Sequence, residues 1–378
     1  MIKDRGQKAL ALRLSVSKRW LPQMEVEIEP SRRLDKSKYL LTDIDVLAVA
    51  PSAVGGNTRF VFDCKSSPRE SAIGRAFWLN GVMKRASAAH GFVILNEKIK
   101  INQDHRISAK DLGITLLHQT ELDDLAQGLG ADTAPSDAAL ANIDLWDTFI
   151  GIPQKYGNLS EYHDFARSGF WMIKDSGEQC RKTLLKIRSI RSELDPSKTE
   201  HIATFNDAVS LFLLSLSELA NELFLVLLRP QSQEEFSSSL LAFLYGGYEQ
   251  LETAHKIRKI TSVNPDEATS LFPEMKRFEH LVREILQAPQ QALPAALLAK
   301  ELALGNLEPA GFEKNEKFAN QIIRESPYTA KFVLLASEYL QKSSKIPVEF
   351  HDLLANECLK LMGNTLQNKK QNALSILL

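Results

Sequence analysis

Strand-like patterns in this chain are confined to its first 130 residues. Residues 24–29 alternate apolar and acidic side chains, and two apolar runs, 44–49 and 60–65, flank a segment rich in turn-forming residues. After this part, apolar residues recur with helical spacing, and prolines and capping residues separate the helical segments. The sequence therefore predicts an α/β domain over 1–130, a linker over 131–137 and a larger all-α domain over 138–378.

The first domain is predicted to combine one mixed sheet with flanking helices. Its two apolar runs are joined by a short connection, so we expect them to pair as an antiparallel hairpin. Pairing about a turn near residue 54 places Asp45 opposite residues 63–65. The predicted order is helix 7–20, strand 24–29, strands 39–50 and 59–66, helix 69–89, strand 91–95, a helix beginning at 108–111, strand 113–118 and a helix beginning at 120–123.

The second domain is predicted to contain seven to nine helices. Its most apolar run, residues 209–228, is about as long as a membrane span, but Ser215, Ser217, Glu218, Asn221 and Glu222 interrupt it. Burying these polar groups in lipid would cost several kcal/mol, so we expect a buried core helix and no membrane span. We expect this domain to serve oligomerisation, docking of a protein partner, or regulation.

The formal charge of −1 conceals an uneven distribution. Residues 1–130 hold 20 Lys and Arg against 15 Asp and Glu, a balance of +5, and the remaining residues hold 26 against 32, a balance of −6. Such asymmetry suggests a nucleic-acid-facing module joined to a second module. Three scattered cysteines and an N-terminus without the apolar core of a signal peptide favour a cytoplasmic protein.

Three charged residues form the strongest candidate site. Asp63 and Lys65 lie two residues apart on one strand and so share a face, and the hairpin brings Asp45 beside them. Two clustered carboxylates without histidine or thiolate suit a hard cation such as Mg²⁺. Such a cation polarises a phosphoryl oxygen and lowers the pKa of a bound water. The alternative is a salt-bridged Asp–Lys pair at a sheet edge.

The segments IDVLA (44–48) and VFDCKS (61–66) resemble the PD-(D/E)xK, or restriction-endonuclease-like, nuclease superfamily over about residues 5–125. The order helix, three strands, helix, strand is similar to the core of that family. The resemblance implies a metal-dependent nuclease, and we favour a DNA endonuclease while leaving RNA open as a substrate. By motif position, Asp45, Asp63 and the backbone carbonyl of Cys64 would bind Mg²⁺, or Mn²⁺ in its place. Lys65 would position the attacking water.

The first helix departs from the family pattern. Many members carry a glutamate there, whereas residues 5–20 contain no acidic residue, so Glu25, Glu27 or Glu29 would have to substitute. This departure supports a second hypothesis, a catalytically degenerate nuclease fold that acts as a nucleic-acid-binding or scaffold subunit. An appended helical region resembles, by architecture alone, effectors of restriction or anti-phage defence systems.

Basic side chains near the motif are candidate phosphate contacts, because Lys and Arg neutralise nucleic-acid phosphates without reading the base sequence. One group lies on the polar side of helix 69–89 and comprises Arg69, Arg75, Lys84 and Arg85. A second group, expected to extend the basic surface, comprises Lys3, Arg5, Lys8, Arg32, Arg33, Lys36 and Lys38.

Overall fold

The computed structural model describes residues 2–30, 39–52, 55–131, 138–228, 232–261, 271–309 and 316–376. Within them, a mixed sheet with helices is followed by a larger helical region. The predicted linker lies outside the described residues apart from Ala131. Four residues of the predicted basic surface also lie outside them: Arg32, Arg33, Lys36 and Lys38.

The N-terminal part folds in the predicted order, which confirms a mixed sheet combined with helices. The elements are α1 (Arg5–Ser17), β1 (Leu21–Ile28), β2 (Thr42–Pro51), β3 (Asn57–Lys65), α2 (Ala72–Ala86), β4 (His90–Leu95), α3 (Gln103–Asp111), β5 (Ile114–His118) and α4 (Leu122–Gly128). The five strands follow one another across the sheet; β2 runs antiparallel to β1 and β3, and β3, β4 and β5 are parallel. Parallel neighbours need a crossover, which α2 and α3 supply.

One predicted helix start is wrong, because residues 108–111 lie at the end of α3. Ser and Asp are common at helix starts, but here Ser108 and Asp111 occupy the last turns of a helix that begins at Gln103. The stop is marked by Gly113, whose φ of +73° is left-handed backbone that glycine adopts without a Cβ clash.

The helical region is divided more finely than predicted. One turn of π-helix over Phe165–Gly169, called the π-turn below, separates the helices α6 and α7. Gly246 and Gly247, both with positive φ, separate α10 from α11. Breaks of this kind leave the apolar spacing almost intact, so the pattern merges the helices that they separate. In place of seven to nine helices, the described residues contain twelve: α5 (Ile143–Lys155), α6 (Ser160–Asp164), α7 (Phe170–Met172), α8 (Ser176–Ser189), α9 (Thr199–Leu227), α10 (Gln233–Tyr245), α11 (Tyr248–Thr261), α12 (Met275–Leu286), α13 (Ala292–Gly305), α14 (Lys317–Glu325), α15 (Thr329–Ser344) and α16 (Val348–Ile376).

The apolar run predicted to be a core helix forms most of α9. By length and composition this helix could cross a membrane, but 72% of its most apolar window is buried inside the protein. It packs against α8, α13 and α15, and the ring of Phe212 stacks on that of Tyr339 with centroids 5.5 Å apart. The expectation of a buried core helix is therefore confirmed.

The sheet and the helical region share one continuous hydrophobic core. Polar contacts reinforce this junction: Lys300 of α13 donates to Gln23 of β1 at 2.8 Å and pairs with Asp207 of α9. Arg5 of α1 pairs with Asp147 of α5 at 3.1 Å, and β1 contacts the π-turn. As a result, α5 and the π-turn lie beside the end of the sheet that carries the Asp63–Lys65 motif.

Candidate functional site

The candidate site lies where two paired strands separate. The β2–β3 ladder runs from Pro51↔Asn57 to Val46↔Phe62, which is the register expected from the turn. Beyond that pair, β2 continues to pair with β1 and β3 continues to pair with β4. The next residue on each strand is an aspartate, Asp45 on β2 and Asp63 on β3. The two carboxylates therefore stand at the opening of a fork in the sheet.

The Asp45 side chain replaces the missing backbone partner inside the fork. The backbone N–H of Cys64 donates to Asp45 Oδ2 at 2.6 Å. A strand residue points its N–H and C=O to the same side, so the Cys64 carbonyl also faces the fork. The Cys64 thiol is fully buried, and burial raises its pKa, as expected for a small apolar side chain rather than a nucleophile.

The fork brings together the three residues singled out from the sequence. The Lys65 ammonium lies 3.3 Å from Asp45 Oδ2 and 3.2 Å from Asp63 Oδ1, so a single cation bridges both carboxylates. Burial would lower the pKa of Lys65, but the charges of Asp45 and Asp63 outweigh it and raise that pKa. The ammonium form is therefore the stable one at neutral pH.

Arg75, predicted to contact phosphates from the polar side of α2, lies beside Asp63 of the site, and its phosphate contact stays a prediction. Its guanidinium holds Asp63 with two hydrogen bonds, from Nε to Oδ2 at 2.6 Å and from Nη2 to Oδ1 at 2.5 Å. It also lies over the Trp78 ring, 4.0 Å from the centroid. Burial raises the pKa of Asp63, and Arg75 and Lys65 oppose that rise.

Lys8 was expected on the basic surface, and this expectation is wrong. Its side chain is only 2% exposed, and its ammonium lies 2.8 Å from Asp45 Oδ1 and 2.5 Å from Glu25 Oε1. Burial would lower the pKa of Lys8, but these two carboxylates outweigh it and raise the pKa. The sequence did indicate this burial, because Lys8 lies four residues before Leu12 and therefore on the same buried stripe of α1.

The three glutamates offered as substitutes for a first-helix acid have separate partners. Glu25 has a left-handed φ of 53° and reaches the site through Lys8; burial raises its pKa, partly offset by Lys8. Glu27 pairs with Arg167 of the π-turn at 2.9 Å. Glu29 follows β1 and lines a different cleft. Only Glu25 therefore joins the candidate site.

Together these groups form a linear network of alternating charge. We call it the ion-pair network; in order of contact it comprises Glu25, Lys8, Asp45, Lys65, Asp63 and Arg75. It contains three acids and three bases, and it connects α1, β1, β2, β3 and α2. The network is therefore neutral when all six groups are charged.

The network opens into a cleft between the sheet and the helical region. The sheet side contributes Lys3, Asp4 and Asp43, and the helical side contributes Asp147 and Arg167. Lys65 is the member of the motif that solvent reaches, with 22% of its side chain exposed, against 1% for Asp63. Of Asp45, Asp63 and Lys65, a ligand entering the cleft would therefore meet Lys65 first.

The remaining basic candidates lie outside this cleft. Arg69, Lys84 and Arg85 are exposed on or just before α2, and Arg85 donates to the backbone carbonyl of Glu29 at 3.1 Å. Arg5 pairs with Asp144 and Asp147 of α5. Phosphate binding by Arg69, Lys84 and Arg85 stays a prediction.

The donors of the fork suit a hard cation, because two carboxylates and one backbone carbonyl converge where an ammonium already bridges the acids. Mg²⁺ is commonly held by one or two carboxylates together with water and substrate phosphates. Among the described residues, no three His, Cys, Asp or Glu side chains are grouped as metal ligands; the third nearby acid, Glu25, is turned to Lys8. A metal ion here would require Asp45 and Asp63 to give up contacts with Lys8 and Arg75.

Neither the protein-family models, nor the curated proteins, nor the solved structures compared with this chain match it. The functional assignment therefore depends on the geometry of the ion-pair network and its cleft.

Proposed function

We propose that this protein is a metal-dependent nuclease that hydrolyses phosphodiester bonds, with DNA as its substrate and Asp45, Asp63 and Lys65 as its catalytic residues. The observation that carries this proposal is the Lys65 ammonium, which lies within 3.3 Å of both carboxylates at the mouth of a strand fork. The resemblance of the two strand segments to the PD-(D/E)xK superfamily supports the same assignment.

Each catalytic residue has a distinct task. Asp45, Asp63 and the Cys64 carbonyl would hold Mg²⁺ or Mn²⁺, which when bound lowers the pKa of a water and polarises a phosphoryl oxygen. The charges of Asp45 and Asp63 raise the pKa of Lys65, which favours its ammonium form. It donates hydrogen bonds that orient the attacking water and offset negative charge developing on the phosphate.

Substrate would approach from the cleft, where the Lys65 side chain is partly exposed. The charged groups lining this cleft include both signs, with Lys3 and Arg167 beside Asp43 and Asp147. Such a mixture provides little long-range attraction for a polyanion. We therefore propose that the exposed bases outside the cleft contribute to nucleic-acid affinity, with the acidic helical region serving docking, oligomerisation or control in a defence system.

A second candidate function is a nuclease fold without catalysis that binds nucleic acid or serves as a scaffold. The observation favouring it is Lys8, a buried cation that already neutralises Asp45. In that case the ion-pair network would be a structural connection between α1, the sheet and α2.

Cleavage assays separate the two candidates. Plasmid, linear duplex, single-stranded DNA and RNA are incubated with the protein and Mg²⁺ or Mn²⁺, with EDTA as a control. Asp63→Ala and Lys65→Ala should each reduce cleavage by about 10²-fold or more. Lys110→Ala, an exposed lysine on α3, serves as the matched control and should cleave like wild type.

Cleavage that survives both Asp63→Ala and Lys65→Ala would show that the site is wrongly assigned. Absence of metal-dependent cleavage on all four substrates would favour the binding or scaffold candidate. Circular dichroism of each variant identifies a loss of activity that comes from unfolding.

A further inference from the structure

Every oxygen of the two catalytic carboxylates already has a positively charged partner. Asp45 Oδ1 contacts Lys8 at 2.8 Å, and its Oδ2 contacts Lys65 at 3.3 Å. Asp63 Oδ1 contacts both Lys65 and Arg75, and Oδ2 accepts from Arg75 Nε at 2.6 Å. A divalent cation entering this neutral network would leave it with two excess positive charges in a largely buried place, which low-dielectric surroundings disfavour.

We propose that Lys8 and Arg75 occupy the cation site while nucleic acid is absent. When a phosphodiester binds, Arg75 turns to the phosphate and Lys8 keeps only Glu25, so that metal and substrate bind together. This inference rests on the proposed nuclease function and adds a regulation to it. A phosphodiester carries one negative charge and so offsets half of the two excess positive charges of the metal-loaded network. Metal affinity is therefore low for the free protein and rises when the substrate is present.

Arg75 is suited to exchange one anion for another. Its guanidinium holds Asp63 through a two-point contact, and the same planar fork matches phosphate oxygens. Its side chain is 18% exposed, against 1% for the Asp63 it holds, so the guanidinium lies nearer to solvent. Stacking on Trp78 keeps it close to the fork after it leaves the carboxylate.

Lys8 has a second anion within reach when Asp45 is taken by metal. The Glu25 carboxylate lies 2.5 Å from its ammonium, so Lys8 can release Asp45 and stay neutralised without entering solvent. The backbone at Glu25 is left-handed, with φ of 53°, while the pairing of β1 with β2 keeps the same register at Met24 and Val26 on either side. In this scheme Glu25 acts as a positioning residue for Lys8, not as a metal ligand.

Manganese binding to the full-length protein tests the scheme without relying on cleavage. Mn²⁺ titrations followed by electron paramagnetic resonance are run on wild type, Arg75→Gln and the charge-balanced pair Lys8→Met with Glu25→Gln. Removing one charged hydrogen-bond competitor should tighten Mn²⁺ binding by about tenfold. Arg106→Gln breaks a different arginine–carboxylate pair, with Glu121, and should leave the affinity unchanged.

The second measurement adds a phosphorothioate-linked oligonucleotide to wild type and to Arg75→Gln. Mn²⁺ binding to wild type should tighten when the oligonucleotide is present, and by reciprocity Mn²⁺ should tighten oligonucleotide binding. In Arg75→Gln most of this coupling should be lost. If that variant does not fold, the coupling in wild type alone decides, and its absence overturns the inference.

The failure of this inference and the failure of the proposed function give different results. If Mn²⁺ binds wild type and Arg75→Gln equally, and the double variant Asp45→Asn with Asp63→Asn does not bind it, the site holds metal but has no internal competitor. If neither wild type nor Arg75→Gln shows Mn²⁺ binding that depends on Asp45 and Asp63, the proposed function as a metal-dependent nuclease is itself wrong.

Discussion

Two buried groups in the helical region should give protein stability opposite dependences on pH. Glu301 of α13 is 4% exposed, and burial raises its pKa to about 7 even though its carboxylate accepts backbone N–H bonds from Ala139 and Leu140. His163 of α6 is 1% exposed, and burial lowers its pKa to about 4. The imidazole lies 3.0 Å from the Thr204 hydroxyl, a partner that a neutral ring satisfies.

The direction of each effect follows from which state holds the extra proton. With an ordinary pKa of 4.5 in the unfolded chain, Glu301 contributes stability that is complete below pH 4.5 and is lost as the pH rises through 7. With an ordinary pKa of 6.5, His163 contributes stability that is complete above pH 6.5 and is lost as the pH falls through 4. Each pKa moves by about 2.5, which corresponds to ~3 kcal/mol for each group.

Substituting the two groups separately should reveal slopes of opposite sign. The free energy of unfolding is measured by urea denaturation, followed by circular dichroism, at several values between about pH 5 and 7. Relative to wild type, Glu301→Gln should lose a further ~2 kcal/mol as the pH falls across this range, because only wild type gains from the buried proton. His163→Gln should instead gain ~2 kcal/mol relative to wild type.

Glu349→Gln, at an exposed position in the first turn of α16, is the matched control and should differ from wild type by a constant amount. If the free energy of unfolding of Glu301→Gln differed from that of wild type by the same amount at every pH, the difference would report only the lost hydrogen bonds. That result would refute the reasoning, since it would mean that Glu301 is ionised in the folded protein throughout the range.

Two further substitutions test close contacts at the junctions of the helical region. Gly177→Ala places a Cβ 2.5 Å from the Leu244 carbonyl oxygen and 2.6 Å from that of Phe243. Because these are backbone atoms, we expect the free energy of unfolding, measured by urea denaturation, to fall by ~2 kcal/mol. An unchanged midpoint would contradict the close approach of α8 and α10. Lys300→Met removes the charged partner of the buried Asp207, so we expect the free energy of unfolding to fall by ~3–5 kcal/mol. Lys182→Met, which breaks an exposed pair with Glu178, should cost less than ~1 kcal/mol, and equal losses for the two lysine variants would contradict the role of burial.

The sheet and the position of the aspartates follow from local sequence. The runs around Val46 and Phe62 are apolar, and the segment between them is rich in turn-forming residues. The register of the hairpin therefore follows from two features that the sequence displays directly. This register places Asp45 and Asp63 next to each other, just beyond the last pair of the ladder. The start of α3 was misplaced because Ser108 and Asp111 resemble a helix start, whereas the decisive signal was the stop at Gly113.

The charge balance of the site could not be deduced from the same patterns. Lys8 is buried only because Asp45 and Glu25, from two other elements, reach its ammonium. A lysine on a helix ordinarily lies in solvent, since an unpaired ammonium is costly to bury. Its place on the apolar stripe of α1 was visible, but its partners depend on how α1 packs against the sheet. The contact of Arg75 with Asp63 likewise depends on how α2 packs against the sheet.

The comparison between two buried ion-pair clusters favours a functional site at the fork. Buried ion pairs are seldom more stabilising than apolar packing, so stability alone does not explain either cluster. Lys300 and Asp207 are closed off, at 2% and 0% exposed, with Gln23 as a further partner of Lys300; this cluster connects helices to the sheet. The ion-pair network instead includes Lys65, a central member that is 22% exposed and lines an open cleft at a break in the sheet. A cluster that served only as a connection would gain nothing from that opening, whereas a site that takes a phosphate requires it.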